Sequence, residues 1–118
     1  MKTLTVQRID ASLAQAFVPP ASDYQFVSPD WEEAEYRCFE TGGGSFGGYW
    51  TGEPGAVAFD AWPYGEVVVL TKGRVAVEGA DGTRWEFSAG EAFFIPAGFA
   101  GSWITLESSE KVFVAIRD

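Results

Sequence analysis

The sequence predicts an all-β domain, a sandwich or barrel of antiparallel strands, on three observations. Short alternating or β-branched runs recur along the chain, each bounded by Gly, Pro, Asp or Ser, giving roughly nine or ten strands. Helical periodicity is confined to two brief stretches. The run EVVVL from Glu66 to Leu70 is β-branched and apolar, as in a strand covered on both sides. With 47% hydrophobic residues, including five Trp, four Tyr and ten Phe, a chain of 118 residues can fill one core without disulfide or metal staples.

In chain order, Thr3 to Ile9 alternates apolar and polar residues and reads as a first strand with one solvated side. Ser12 to Phe17 fits a single helical turn, stopped by Pro19 and Pro20, and an extended surface segment follows. Ser28-Pro29-Asp30 offers a cap, a proline for the first helical position and acids behind it, so a brief helix is expected there. Glu35 to Thr41 reads as a strand with Tyr36 and Cys38 on one side and Arg37 and Phe39 on the other. GGGSFGGYW then makes a tight hairpin and a strand. Its glycines are no phosphate-binding loop, because no helical period and no GK[ST] follow.

Ala56 to Trp62 and Glu66 to Thr71 form a central pair around a Pro/Gly corner. Gly73 turns the chain into Arg74 to Glu78, and Asp81-Gly82 is the strongest hairpin signal, returning as Thr83 to Phe87. Ser88 to Glu91 is a turn, AFFIP a strand and Pro96-Ala97-Gly98 a corner. Ser102 to Leu106 and Lys111 to Ile116 complete a single domain over 1–118, with 1–45 as N-terminal strands and arm.

Eight Lys and Arg against seventeen Asp and Glu give a formal charge of −9. That sign disfavours nucleic acid and anionic membranes as partners. Asp23, Asp30, Glu32, Glu33, Glu35 and Glu40 are expected to form a solvated face. Cys38 is the only cysteine and there is no histidine, so no intrachain disulfide forms and a thiol nucleophile would lack its imidazole. The start, MKTLTVQRID, lacks the apolar run of a signal peptide, and no stretch approaches the roughly eighteen apolar residues of a spanning helix. A soluble, cytoplasmic protein is expected.

The order Asp60, Trp62, Glu66, Gly73 and then Gly90, Pro96, Gly98, Gly101, Thr105 resembles the two motifs of the cupin superfamily. A closer resemblance is to the small single-domain cupins related to (S)-ureidoglycine aminohydrolase. It is carried by Trp50, Pro54-Gly55, Asp60, Glu66, Gly73, GEAFFIPAGFAGSW and Lys111 before VFVAI, over about residues 46–116. The resemblance implies an RmlC-like jelly roll, a double-stranded β-helix barrel, with a pocket at one mouth and frequent dimerisation. At the superfamily's four metal positions this chain has Asp60, Trp62, Glu66 and Gly101, so neither a metal nor another cofactor is expected.

Strand alternation, with the family's register, points Ala58, Asp60 and Trp62 inward, together with Glu66, Val68 and Leu70 and with Gly101, Trp103 and Thr105. Val57, Phe59, Val67 and Val69 then face outward, where the sheet of a second copy would cover them, so a homodimer is expected. Gly101 is expected to leave room where a metal ligand was lost. The candidate catalytic residues are Glu66, Asp60 and Tyr64, and the candidate ligand contacts are Trp62, Trp50, Trp103 and Phe94. Paired acids beside an indole suit proton transfer; aromatic walls suit stacking on a small molecule.

Three readings stay open at this point. One is a metal-independent module binding a small polar or aromatic ligand. Another is a metal-free acid and base enzyme centred on Glu66, such as a dehydratase, isomerase or aminohydrolase-like protein. The third is a filled barrel, in which Asp60 or Glu66 serves backbone amides or pairs with Arg74 or Arg84, Trp50, Trp85 and Trp103 are core, and Tyr64 is a turn residue.

Overall fold

In a computed structural model, which describes residues 4–11 and 15–117, eleven strands form two antiparallel sheets. The strands are β1 (Ala16–Phe17), β2 (Phe26–Val27), β3 (Glu33–Glu40), β4 (Phe46–Gly52), β5 (Gly55–Phe59), β6 (Gly65–Lys72), β7 (Arg74–Gly79), β8 (Arg84–Ser88), β9 (Ala92–Ile95), β10 (Gly101–Thr105) and β11 (Ser109–Ile116). The six-stranded sheet runs β1-β3-β4-β11-β6-β9 and the five-stranded sheet β2-β5-β10-β7-β8. This is the jelly-roll arrangement that the family resemblance implies. Among the described residues, no helix is long and apolar enough to cross a membrane.

The N-terminal expectations are corrected. Residues 4–9 form no strand, and of the proposed helical turn at Ser12 to Phe17, residues 12–14 lie outside the described residues while Ala16–Phe17 pairs with β3. Ser28 starts no helix. Its hydroxyl accepts the Ala56 amide at 2.9 Å and so pins the start of β5 instead, while a single 3₁₀ turn sits earlier, at Ala21–Asp23.

From β4 onward the turn residues divide the chain where expected. Gly73 joins β6 to β7 at φ 83°, and a Cβ there would strike Ser109 and the Ser108 carbonyl, so glycine is required. Gly82 closes the Asp81-Gly82 hairpin at φ 90°.

The core lies between the sheets. Val68, Leu70, Phe113 and Ala115 come from one side and Val57, Val75, Val77 and Trp103 from the other. In β6 the predicted phase holds: Glu66, Val68 and Leu70 are buried and Val69 is exposed. In β5 the phase is the reverse of the expectation. Val57 is 2% exposed and Phe59 packs against the core, whereas Ala58 lies on the other face, opposite the exposed Phe26 of β2. The cause is pairing: Val57 stands opposite Trp103 in β10, and directly opposed residues share a face.

Candidate functional site

β5 ends at Phe59, so alternation does not carry across to Asp60 and Trp62. Trp62 enters the barrel from the corner instead. Its amide donates to the Phe99 carbonyl at 2.8 Å, and its own carbonyl accepts the Gly98 amide at 2.8 Å. These bonds clamp the corner against the Pro96–Gly98 turn and bury Trp62 to 5% exposure. Beside it a cavity of about 360 Å³ opens between the two sheets.

Deep in this cavity are Glu66 from β6 and Lys111 from β11. Lys111 Nζ lies 2.6 Å from Glu66 Oε2, and both side chains are more than nine-tenths buried. Trp62 Nε1 donates to the other carboxylate oxygen at 3.2 Å. The ammonium also rests 4.2 Å from the ring centre of Trp103 and 4.9 Å from that of Trp50. Cation and carboxylate are thus paired to each other and flanked by indoles, which offsets part of their desolvation cost.

Nearer the mouth the wall is built from the N-terminal segment. Glu33 accepts hydrogen bonds from Trp31 Nε1 at 2.8 Å, from Trp50 Nε1 at 2.9 Å and from the Tyr24 hydroxyl. Glu35 is buried and takes Arg37 Nε at 2.6 Å, while the Arg37 guanidinium stacks on Phe46 at 4.0 Å. The acids of residues 23–40 therefore do not form one solvated face: Glu33 and Glu35 point into the cavity.

Tyr64 also lines the cavity, edge-on to Phe46 at 5.5 Å. Burial first, and then the neighbouring Glu66 charge, push its phenol well above the ordinary tyrosine range. The phenol is therefore protonated at neutral pH and is no base there.

Of the residues picked from sequence, the structure gathers Glu66, Tyr64, Trp62, Trp50 and Trp103 around one cavity. It does not bring Asp60 there, because that side chain sits exposed just after the end of β5. Phe94 is 55% exposed on the outer side of β9; its neighbour Phe93 turns inward, 6.0 Å from Trp103. Trp85, expected in the core, is 44% exposed. Arg74 and Arg84 pair with Glu86, Glu107 and Glu78 on the surface, so neither reaches Glu66. Lys111, Glu33, Glu35, Arg37, Tyr24 and Trp31 were not picked from the sequence. For Lys111 one signal exists, since it shares the inward phase of Phe113 and Ala115.

The superfamily's metal positions do not suit a transition ion in this chain. Asp60 lies outside the cavity, Trp62 offers an indole, and Glu66 is already paired with the Lys111 ammonium, whose charge opposes a second cation on the same carboxylate. Nor does Gly101 leave room for a ligand, because a Cβ there would overlap the Glu78 carbonyl and press on the Phe99 ring. Among the described residues no group of three or more His, Cys, Asp or Glu side chains is placed to hold an ion.

The profile of the EutQ-like cupin domain matches residues 39–113. The structure is similar to that of a DUF861-family protein of unknown function from Pseudomonas syringae pv. tomato, with TM-score 0.76 and 21% identity, covering 92% of this chain and 46% of that one. It is also similar to the EutQ protein of Clostridium difficile, with TM-score 0.67, 18% identity and coverage of 81% and 77%. A putative ethanolamine utilization protein Q from Salmonella typhimurium aligns with TM-score 0.62, 18% identity and coverage of 70% and 68%. No curated protein matches the sequence. The cavity wall formed by Tyr24, Trp31, Glu33, Glu35 and Arg37 lies ahead of the matched span.

Proposed function

Because the chain belongs to the EutQ-like cupin domain family, and its residues do not suit that fold's metal, we propose that it is a metal-independent cupin that binds a small polar or aromatic molecule in its barrel mouth. The observation that carries this reading is the buried Lys111–Glu66 pair beside an open, indole-walled cavity. A barrel closed only for stability gains more from apolar side chains at such a place, since a buried ion pair is often neutral or unfavourable against a hydrophobic replacement. Lys111 has three N–H donors and gives one to Glu66, so a ligand oxygen has a charged donor to meet and rings to stack on.

The catalytic alternative, an aminohydrolase-like acid and base protein, draws support from the resemblance over about residues 46–116 and from Tyr64 lining the same cavity as Glu66. Against it, Glu66 is held in a buried ion pair with Lys111, so a proton taken up by the carboxylate would leave the ammonium without its counter-charge. Two copies associate in this reading through the outer face of the six-stranded sheet, where Val69, Phe94 and Ile116 are exposed.

A thermal-shift and tryptophan-quenching screen of sugars, ureides and aromatic acids tests the binding role. A true ligand raises the melting temperature and quenches, and both effects weaken in Lys111→Met. Stabilisation by no compound would leave the filled barrel as the better account, and a stoichiometric transition ion in purified protein would overturn metal independence.

A further inference from the structure

We infer that the corner of the cavity bounded by Tyr24, Trp31, Phe59 and Glu33 is a subsite for a ligand's ammonium or amidinium group, with Glu33 as the counter-charge. The inference rests on the ligand-binding role proposed above and names the charge that the ligand carries.

The corner is an aromatic enclosure. Tyr24 meets Trp31 at 6.3 Å and 74°, and meets Phe59 at 5.1 Å and 75°; Phe59 in turn lies 4.1 Å from Trp62. All four rings line the one cavity, and aromatic faces attract cations. The same cavity already holds one ammonium in this way, that of Lys111 against Trp103 and Trp50.

Charge is left over at this corner. Glu66 is neutralised by Lys111, and Glu35 by Arg37, whereas among the described residues Glu33 makes no ion pair. Its three donors are neutral: one indole on Oε1, and a second indole and the Tyr24 phenol on Oε2. A carboxylate has about four acceptor positions, so one remains on Oε1 for an N–H of the guest. Asp23 lines the same cavity, and the net charge of −9 draws cations toward the protein from a distance. Lys111, paired with Glu66, offers its remaining N–H donors to a guest oxygen at its own end, so the guest's positive end is held toward Glu33.

Every residue of the corner except Phe59 precedes residue 39, where the family match begins. The subsite is therefore a feature of this chain's own N-terminal wall.

The test compares benzylammonium, benzyl alcohol and benzoate, three guests of one shape and three charges, by quenching of intrinsic tryptophan fluorescence at neutral pH. The expected result is benzylammonium binding at least about tenfold tighter than benzyl alcohol, the scale of one charge-assisted hydrogen bond. Glu33→Gln should bring the ammonium-to-alcohol affinity ratio down to about one, whatever it does to the two affinities in common. Alcohol or benzoate binding as tightly as the ammonium overturns the cation subsite while leaving the binding role intact. Binding of none of the three overturns both. Where Glu33→Gln is too unstable to assay, the wild-type ammonium-to-alcohol ratio decides, with Glu33→Asp as the charge-preserving variant.

Discussion

Lys111 reaches Glu66 diagonally along the inner face of the six-stranded sheet. The register opposes Lys111 to Leu70 and Glu66 to Ala115, so the two are not cross-strand partners. The lysine stem runs back over Phe113, whose ring centre lies 5.6 Å from Nζ, to bring Nζ within 2.6 Å of the carboxylate. The contact therefore depends on the apolar layer beneath it, and it ties the β6–β11 register to the geometry of the cavity.

Removing one member of this pair strands the other. Lys111→Met leaves Glu66 with only the Trp62 N–H and is expected to cost about 3–5 kcal/mol in urea unfolding. Lys111→Met combined with Glu66→Gln should be more stable than Lys111→Met alone, because no buried charge is left unpaired. A double variant weaker than the single would show that the two residues do not compensate each other.

Much of the barrel was legible because its turns carry their own chemistry: Gly73, Asp81-Gly82 and Pro96-Ala97-Gly98 separate the strands where the structure does. What stayed hidden was phase and long-range partnering. Gly55 to Phe59 reads GAVAF, apolar on both faces, so a period of two selects neither; Trp103 opposite Val57 selects it. The same ambiguity in VFVAI concealed the inward turn of Lys111. Glu33 and Glu35 looked solvated because a run of acids reads as one face, although Trp31 and Arg37, each two residues away, supply a donor to them; only the indole of Trp50 arrives from a distant strand. Asp60 looked like a pocket acid only while β5 was assumed to continue past Phe59.

Gly101 is a packing requirement. A methyl group there would overlap the Glu78 carbonyl on β7, which cannot yield without disturbing the β7–β10 ladder. Gly101→Ala should lose about 1–3 kcal/mol, and Gly101→His should lose more without creating a metal site. A Gly101→Ala melting curve unchanged from wild type would contradict the close approach.

Two tyrosines should govern alkaline stability. The phenols of Tyr24 and Tyr64 are both raised well above their ordinary value of 10.0, chiefly by burial, with Glu33 adding at Tyr24 and Glu66 at Tyr64. Above that pH the unfolded chain releases protons that the native state keeps. Their contribution is therefore complete below about pH 10 and is lost as pH rises beyond it, by up to about 1.4 kcal/mol per pH unit for each phenol. Unfolding measured from about pH 8 to 11 should show this decline, shallower in Tyr64→Phe. Native-state absorbance showing both phenols ionising near their ordinary value would refute it.

Self-association is expected from the outer face of the same sheet. The register sets Val67 beside Phe94 on one side and Val114 on the other, with Val69 beside Ala92 and Val112 in the adjoining row. These residues alternate with the buried Glu66, Val68 and Leu70, and with Phe113 and Ala115, so they form one uncharged surface. Covering it removes exposed apolar area, including Phe94 at 55% and Val69 at 40%, from water. The −9 charge of each copy opposes the approach, so added salt should strengthen association by screening. Sedimentation should show a two-copy species that Val69→Lys converts to single chains without altering the circular dichroism spectrum. A wild-type protein that sediments as single chains at high salt would rule out this interface.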